Sequence, residues 1–261
     1  MMILETIVTA VQARLREDKQ RVSPARMMAR AEAVPAPADF PFYRALCGPE
    51  PAFICEVKKA SPSKGIISPD FPYVATARAY EEAGAAAVSV LTERDYFLGD
   101  PQYAKEIAAA TRLPVLRKDF IVDAYQLYEA RAIGAAAVLL IAAILSDPAL
   151  TYFLQLAHTL GLSVLTECHT AGEIQRAVRA GARIIGINNR NLRDFTVDLN
   201  RTRQLCRYVP DSCILVSESG IRTGDDVATL RACGVQAVLI GETCMRSRDK
   251  KALLQQLRGQ G

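Results

Sequence analysis

From about residue 52 onward, short apolar runs alternate with segments whose apolar positions recur every 3.6 residues. The runs are rich in β-branched residues and predict strands near Phe53–Val57, Ala87–Leu91, Pro114–Leu116, Ala137–Ile141, Ser163–Leu165, Arg183–Ile187, Ile214–Val216 and Ala237–Ile240. The intervening segments predict helices at Tyr73–Ala83, Asp123–Ile133, Ala149–Leu160, Ala171–Ala180 and Asp225–Ala232, each followed closely by glycine.

About eight such β–α units predict an α/β fold, a (β/α)8 TIM barrel over residues 48–261. A doubly wound sheet shows the same alternation. No Gly-x-Gly-x-x-Gly turn follows a predicted strand, and polar residues end at least five strands rather than one switch point. Both features favour the barrel.

The first 47 residues predict a helical extension. Its first helix is indicated by apolar residues at helical spacing, namely Ile3, Ile7, Val11 and Leu15. The charged stretch Arg14–Arg21 is expected on the solvated side of that helix, and Val34–Pro41 looks like a connector. Residues 1–47 are expected either to fold over the barrel mouth and cover a substrate, or to stabilise the barrel without touching ligand.

Charged and amide side chains occur where five of the predicted strands end. They are Glu56, Lys58, Lys118, Glu167, Asn188 and Glu218. Because burying an unpaired charge costs several kcal/mol, a shared polar pocket explains the repetition better than five separate accidents. Structural ion pairs are the alternative for any single pair. Strand alternation turns Glu56 and Lys58 toward the pocket and Cys168 toward the helices.

This mixed-charge cluster suits acid–base chemistry. Neighbouring carboxylates hold a lysine in its ammonium form while burial opposes that effect, and such opposition tunes acids and bases near neutral pH. His169 is expected to face the same way as Glu167, where it either contacts substrate or bonds neighbouring backbone. The two histidines are too few for a multi-histidine catalytic metal site, so no metal is predicted.

Three loops are candidates for anion binding. Ser219-Gly220 follows the seventh predicted strand and Gly241 follows the eighth, where TIM barrels commonly hold a phosphate through backbone N–H groups. The third loop is Ser61-Pro62-Ser63-Lys64-Gly65. Together they predict a phosphorylated small-molecule substrate. Arg190 is expected to reach the phosphate or to form a salt bridge across the barrel mouth.

The composition limits which classes of binding partner are expected. The 261 residues are 50% hydrophobic, 23% charged and carry a net charge of +4 without a run of like charge, so neither a nucleic-acid nor a membrane partner is expected. No apolar stretch reaches the roughly 20 residues of a membrane span. Seven cysteines without a Cys-x-x-Cys pair predict reduced thiols in a cytoplasmic protein.

Five motifs, in order along the chain, resemble the indole-3-glycerol-phosphate synthase family. They are Glu-Val-Lys-Lys-Ala-Ser-Pro-Ser-Lys-Gly from Glu56, Leu116–Phe120, Leu165–Glu167, Gly186–Leu192 and Ser217–Ile221. The resemblance implies a TIM barrel that acts in tryptophan biosynthesis on 1-(2-carboxyphenylamino)-1-deoxyribulose 5-phosphate. Ring closure with loss of CO2 and water gives indole-3-glycerol phosphate, and the family uses no metal or organic cofactor.

The resemblance also implies roles for the polar residues. Lys118 would protonate the ketone oxygen, Lys58 would hold the anthranilate carboxylate and act as an acid in a later step, and Glu167 would be the base. Three residues would orient substrate hydroxyls and keep the lysines charged, namely Glu56, Asn188 and Glu218. Phosphate would be bound by Ser219, Gly220 and Gly241 with Arg190, and the Ser61 loop would add contacts. Phe120 and Leu139 would flank the aromatic ring.

Two positions depart from the family pattern. Glu242 stands where some members carry Ser, and Ala60 where some carry Lys. Both changes bear on phosphate affinity rather than on reaction type, and the Glu242 carboxylate is expected to turn away from the phosphate. The chain ends at Gly261, so a monofunctional enzyme is expected, as a monomer or weak homo-oligomer.

Two other functions remain open from the sequence. The first is another sugar-phosphate TIM-barrel enzyme, either a phosphoribosylanthranilate isomerase or a Schiff-base aldolase that uses Lys118 or Lys58. The second is a non-catalytic binding protein that keeps the barrel and a phosphate pocket. The lysines and glutamates of opposite charge at one centre favour an enzyme over a simple binder.

Overall fold

The computed structural model describes residues 3–35, 37, 39–191 and 194–260. Several residues of the predicted segments lie outside this description. They are Leu192, the last residue of the fourth motif, Ala36 and Ala38 of the connector, and Met1 and Met2 of the extension.

The strands of the described chain are short and mostly buried. In chain order they are β1 (Ala52–Val57), β2 (Ala60–Ser61), β3 (Gly65–Ile66), β4 (Ala87–Leu91), β5 (Val115–Lys118), β6 (Ala137–Ile141), β7 (Ser163–Cys168), β8 (Ile184–Asn188), β9 (Ile214–Glu218) and β10 (Ala237–Ile240). Eight of them close into a parallel barrel in the order β1-β10-β9-β8-β7-β6-β5-β4, and β2 and β3 form a separate small hairpin. The predicted TIM barrel is therefore confirmed.

Helices precede the barrel and connect its strands. Within the described residues they are α1 (Ile3–Arg21), α2 (Pro24–Glu32), α3 (Pro41–Ala45), α4 (Tyr73–Glu82), α5 (Pro101–Ala110), α6 (Ala124–Ala132), α7 (Asp147–Thr159), α8 (Ala171–Arg179), α9 (Asn200–Leu205), α10 (Gly224–Arg231), α11 (Glu242–Arg246) and α12 (Lys250–Leu257). Short 3-10 turns follow β6 and α9. No helix of the described chain is long and apolar enough to cross a membrane.

Four barrel strands run further than the apolar pattern predicts. β5, β7, β8 and β9 continue through Lys118, Glu167, Asn188 and Glu218, with Cys168 as the last residue of β7, whereas the apolar runs stop before these polar residues. Strands pair through backbone hydrogen bonds, which polar side chains do not prevent, so each strand continues past its first polar residue. Asn188 accordingly pairs with Glu218, and Leu91 pairs with Lys118. The polar side chains are thus held on rigid strand ends rather than on loops.

Apolar side chains pack in two layers, inside the barrel and between the barrel and its helices. Leu165 belongs to the inner layer, while Cys168 on the same strand belongs to the outer one. The N-terminal end of the barrel is closed by α3, whose Phe42 is fully buried in the inner layer. The Tyr43 N–H donates to Ser163 Oγ at the start of β7 (3.2 Å). The opposite end is left free for a cavity.

The first helix is attached to the barrel by a buried ion pair, and the expectation that Arg14–Arg21 is solvated is wrong for Arg14. Arg14 Nη2 lies 2.5 Å from Glu93 Oε1, and the Glu93 side chain has no exposed surface. Glu93 also accepts hydrogen bonds from the N–H groups of Asp95, Tyr96 and Phe97. One carboxylate therefore holds both α1 and the loop that follows β4.

Candidate active site

A cavity of about 550 Å³ opens at the C-terminal end of the barrel, where TIM-barrel enzymes carry their active sites. It is large enough for a drug-sized ligand. The structure brings every site residue expected from the sequence to its wall, namely Glu56, Lys58, Ser61, Lys118, Phe120, Glu167, Asn188, Arg190, Glu218, Ser219, Gly220 and Gly241.

Glu56 and Lys58 form an ion pair at the end of β1. Both side chains face the cavity, as strand alternation predicts, and the Glu56 carboxylate bonds the Lys58 ammonium group. Burial alone would raise the pKa of Glu56, but the charges of Lys58 and Lys118 lower that pKa below its ordinary value. A Cβ atom on Gly241 would collide with the Glu56 carboxylate and lie 2.8 Å from Lys58 Nζ, so this position requires glycine.

Lys118 and Glu167 face each other across β6. Lys118 Nζ lies 4.0 Å from Glu167 Oε2, and the other carboxylate oxygen lies 3.0 Å from His169 Nε2. Burial alone would raise the pKa of Glu167, but the His169 hydrogen bond and the Lys118 charge lower it to about 2. Burial would lower the pKa of Lys118, yet Glu167, Glu56 and Glu218 raise it. The pair is a ready proton donor beside an ionised carboxylate.

The His169 contact was not predicted from the sequence. Its ring bonds Glu167, so the expectation that the ring bonds neighbouring backbone is wrong, while the backbone N–H donates to Glu173 Oε2 (2.7 Å). The expected contact with substrate stays a prediction. Burial would lower the pKa of His169, but Glu167 raises it. The sequence signal for this contact is that Glu167 and His169 are two residues apart, so strand alternation puts the histidine ring on the side of the carboxylate.

Glu218 occupies the centre of the site with less than 2% of its surface exposed, and its carboxylate oxygens accept no hydrogen bond from the described residues. Burial raises the pKa of Glu218, Glu167 adds to the rise, and the result is about 8 despite the Lys118 charge. A Cβ atom on Gly186 would collide with Glu218 Oε1. Glycine at position 186 therefore makes room for this carboxyl group.

The loop after β9 has the geometry of an anion-binding turn. Ser219 and Gly220 both have positive φ (69° and 87°), and a Cβ atom on Gly220 would meet Val197 Cγ1 at 2.5 Å. The buried Asn189 amide holds this loop by donating to Ser217 Oγ (2.9 Å), the Glu218 carbonyl (3.0 Å) and the Ser219 carbonyl (3.1 Å). Asn189 was part of a motif, but its positioning role was not predicted.

Basic side chains surround the same end of the cavity. Glu242 does not point into open solvent: its Oε1 accepts a hydrogen bond from Arg246 Nε (3.1 Å) and lies 3.7 Å from Lys64 Nζ. Burial would raise the pKa of Glu242, but Arg246 and Lys64 lower it. Arg190 Nη1 donates to the Phe195 carbonyl (3.2 Å), and within the described residues its other guanidinium nitrogen atoms have no further hydrogen bond, so they can meet a ligand.

The remaining wall is apolar and includes residues that the sequence did not single out. Phe120 and Leu139 were expected there, and Phe97 joins them with a ring centroid 6.1 Å from that of Phe120. Ile3, Leu4 and Ile7 bring the start of α1 into the same wall. The apolar stripe of α1 predicted a buried helix face, but its partner became apparent only in the folded chain.

No group of three or more His, Cys, Asp or Glu side chains in the described part of the chain is arranged to hold a metal ion. The cavity instead combines an apolar wall, a lysine–glutamate centre and a backbone loop suited to an anion. This arrangement fits acid–base chemistry on a ligand that carries an aromatic or aliphatic group at one end and a phosphate at the other.

Comparison with known proteins agrees with these features. The model of the indole-3-glycerol phosphate synthase family matches residues 4–257. Indole-3-glycerol phosphate synthase of Ruminiclostridium cellulolyticum is 48% identical over 258 residues, which cover 99% of each chain. The enzyme of the same name from Endomicrobium trichonymphae is 50% identical over 259 residues, covering 98% of this chain and 100% of that one.

Solved structures of lower similarity share the barrel. That of 3-hexulose-6-phosphate synthase has a TM-score of 0.65 at 13% identity and covers 80% of this chain and 99% of its own. Thiamine phosphate pyrophosphorylase from Pyrococcus furiosus has a TM-score of 0.60 at 18% identity, covering 80% and 94%. At these identities the likeness shows the fold alone. The full-length sequence matches have a much higher identity, and together with the family model they show that this chain belongs to the indole-3-glycerol phosphate synthase family.

Proposed function

We propose that the cavity binds 1-(2-carboxyphenylamino)-1-deoxyribulose 5-phosphate and converts it to indole-3-glycerol phosphate, CO2 and water. The observation that carries this proposal is the pairing of Lys118 with Glu167 between an apolar wall and an anion-binding loop. The three parts of this substrate, an aromatic acid, a linear ketose and a phosphate, match the three parts of the cavity.

Ring closure needs an acid at the ketone. The aromatic carbon that bears the carboxylate attacks the carbonyl carbon, and the carbonyl oxygen takes up a proton as the new C–C bond forms. Lys118 is suited to donate that proton because the carboxylates of Glu167 and Glu56 keep it charged despite its burial. Loss of CO2 then returns the electron pair of the broken C–C bond to the ring.

Aromatisation needs a base and a second acid. Glu167 is suited to remove a proton from the intermediate, since its neighbours hold it ionised. The hydroxyl group made in the first step then leaves as water. Lys58 is proposed to hold the anthranilate carboxylate at first and to protonate the leaving hydroxyl group later, with Glu56 keeping it charged.

The other expected residues are proposed to position the substrate. The phosphate would accept hydrogen bonds from backbone N–H groups at Gly220 and Gly241 and from Ser219 and Ser61, with Arg190 as a further cation. Asn188 would orient the sugar hydroxyls. The aromatic ring would lie against Phe120 and Leu139, and the start of α1 would cover it. A cytoplasmic enzyme that works as a monomer or weak homo-oligomer remains part of the proposal.

The test is turnover of purified protein. Incubation with the substrate in the presence of EDTA should give indole-3-glycerol phosphate, which is followed by its fluorescence. Lys118→Ala should lower kcat by about 10²- to 10⁴-fold with a smaller change in KM, because it removes a positioned acid. Lys105→Ala, an exposed change on α5, is the matched control.

Other outcomes point to the other functions. A loss of affinity in Lys118→Ala without a loss of kcat would mean that Lys118 only binds. Covalent trapping by borohydride in the presence of a ketose phosphate would favour a Schiff-base aldolase. Turnover of phosphoribosylanthranilate would favour the isomerase. Phosphate binding by a well-folded sample without product would favour the binding protein.

A further inference from the structure

Glu218 differs from the other carboxylates of the cavity in having no partner among the described residues. Glu56 is bonded to Lys58, and Glu167 contacts both His169 and Lys118. Both oxygens of Glu218 are buried and accept no hydrogen bond from the described chain. Because an ionised carboxylate without a partner is costly to bury, the geometry by itself favours the neutral acid.

The strand register explains how Glu218 reaches its place. Glu167 on β7 pairs with Gly186 on β8, and Gly186 in turn pairs with Val216 on β9, two residues before Glu218. The missing side chain of Gly186 leaves a gap, which the Glu218 carboxyl group fills next to Leu165 Cδ1 and on the side of Glu167. The gap thus places the Glu218 carboxyl group where the charge of Glu167 acts on it.

The charges that face Glu218 come from several strands. Glu56 and Lys58 lie on β1 or just after it, Lys118 on β5 and Glu167 on β7, while Arg190 follows β8. His169, which follows β7, acts through its bond to Glu167. Each of these cations has another partner, since Lys58 bonds Glu56, both Lys118 and His169 contact Glu167, and Arg190 Nη1 donates to the Phe195 carbonyl.

The carboxyl groups of Glu218 and Glu167 therefore differ in pKa. Burial and the Glu167 charge raise the pKa of Glu218 to about 8, whereas the partners of Glu167 outweigh burial and lower its pKa to about 2. Two acids with separated pKa values in one site are the usual sign of an acid paired with a base.

We propose that Glu218 works as a neutral carboxylic acid, and that its O–H group donates a hydrogen bond to an oxygen atom of the bound sugar chain while Glu167 serves as the ionised base. The inference rests on the proposed function for the identity of the substrate. Glu218 keeps its proton throughout, so it acts by hydrogen bonding and not by proton transfer. Its expected role in keeping the lysines charged then falls to Glu56 and Glu167.

The charge of Glu218 can be tested without substrate through the melting temperature. If its pKa rises from 4.5 in the unfolded chain to about 8 in the folded protein, the wild type loses stability as pH increases between these values. Glu218→Gln has no such group. The Tm of Glu218→Gln minus that of the wild type should therefore increase steadily from pH 4.5 to pH 8.

A Tm difference that stays constant over this range would overturn the proposal, because it would mean that Glu218 ionises normally in the folded protein. The carboxylic-acid carbonyl band in infrared difference spectra gives a second, independent measure. A band present in wild type at neutral pH and missing in Glu218→Gln supports the neutral acid, and its absence from both proteins contradicts it. Neither measurement depends on turnover, so each stands apart from the proposed function.

Kinetics then test the hydrogen bond itself. The glutamine amide is neutral and donates a hydrogen bond, so Glu218→Gln should keep a kcat/KM about tenfold or more above that of Glu218→Ala. The alkaline fall of kcat/KM near pH 8 in wild type should be missing from the pH profile of Glu218→Gln. Equal and complete loss in both variants, with active wild type, would show that Glu218 is needed as a carboxylate.

Discussion

At the scale of single residues, the contact between His169 and Glu167 determines the charge of the expected base. The His169 ring lies 3.0 Å from one oxygen of Glu167, and it is the strongest of the contacts that lower the pKa of this carboxyl group. Since the other oxygen is 4.0 Å from Lys118, the histidine also leaves that oxygen facing the lysine. His169 is thus a positioning residue of the site.

Replacement of His169 by alanine should raise the pKa of Glu167. The acidic limb of the kcat/KM profile should move to higher pH, with a loss of about tenfold or more on that limb, since a hydrogen bond to a charged group contributes about 1.5–3 kcal/mol. In the wild type, the stability due to Glu167 is present above pH 4.5 and is lost as pH falls toward 2. When the solution is acidified, His169→Ala should therefore unfold at a higher pH than the wild type does.

His158→Ala is the matched control, because His158 lies on α7 away from the cavity lining. An unchanged acidic limb in His169→Ala, with the wild-type fold, would mean that Lys118 and burial alone determine the charge of Glu167. A purely structural histidine would lower Tm without moving the pH profile.

Residue-level features were predictable where they depend on strand alternation. Alternation alone turned Glu56 and Lys58 into the pocket and Cys168 toward the helices, and the structure agrees for all three. Alternation also turned His169 to the side of Glu167, but it did not predict their hydrogen bond. The Arg14–Glu93 pair was not predictable in this way, because packing brings the two side chains together and the sequence of α1 does not show which residue Arg14 will meet.

At the scale of elements, the strand ends carry the chemistry, and β8 shows how a strand adapts to a neighbour. Gly186 is an interior strand residue, where glycine is normally unfavourable because it adds flexibility and packs poorly. Here its missing side chain holds the Glu218 carboxyl group. The glycine at position 186 is unfavourable for β8 itself, but it provides the space for the Glu218 carboxyl group of β9.

Gly186→Ala should disrupt this arrangement. The added methyl group would collide with Glu218 Oε1 and lie 3.1 Å from Leu165 Cδ1, so we expect a loss of about 1–3 kcal/mol in stability and a fall in kcat/KM. Chemical unfolding and steady-state kinetics measure the two effects.

Gly172→Ala is the control for this substitution. Gly172 lies in α8, its added Cβ would have Thr170 Oγ1 at 4.0 Å as the nearest atom, and alanine favours a helix by about 1 kcal/mol. Gly172→Ala should raise the free energy of unfolding and leave kcat and KM unchanged. Unchanged kinetics in Gly186→Ala would contradict the idea that the gap positions Glu218.

The elements themselves were largely predictable, and their ends were not. The period of apolar residues placed all eight barrel strands, but it ended four of them before their polar residues. Among the helices of the barrel, α5, α9, α11 and α12 were not among the predicted segments. α9 is polar along most of its six residues and gives no clear amphipathic pattern, whereas α5 buries Pro101, Ala104 and Ile107 at helical spacing, so its pattern was present in the sequence.

At the scale of the whole molecule, the two ends of the barrel do different work. The C-terminal end holds the charged cavity, whereas α3 fills the N-terminal end with the fully buried Phe42. In TIM barrels, residues at the N-terminal end contribute stability and those at the C-terminal end contribute chemistry. The alternation along the sequence predicted the barrel, but it did not place α3, because a five-residue helix has too short a pattern to show which surface it covers.

Phe42→Ala should therefore separate stability from activity. Loss of a buried phenylalanine costs about 3–5 kcal/mol, which corresponds to a fall in Tm of about 6–20 °C in a chain of this size. Below the new Tm, kcat and KM should stay within about twofold of wild type, since Phe42 fills the opposite end of the barrel and does not line the cavity. Differential scanning calorimetry and kinetics on the same samples check both parts.

Phe120→Ala at the mouth is the reciprocal variant. It removes part of the cavity wall from a half-buried position, so KM should rise while Tm falls less than in Phe42→Ala. A large change of kcat in folded Phe42→Ala would show that the two ends of the barrel are coupled.

The closure of the barrel by β1 and β10 also has a consequence for biosynthesis. These strands come from opposite ends of the barrel sequence, and their pairing places Gly241 against Glu56 and Lys58. At bacterial and eukaryotic rates of about 5–20 residues per second, β1 waits roughly 10–40 s after its synthesis for β10 to leave the ribosome. Until then its two charges stay in water and its edge stays open to other chains. The binding site cannot be complete before β10 has been synthesised, so substrate stabilises finished molecules and gives no protection to growing ones.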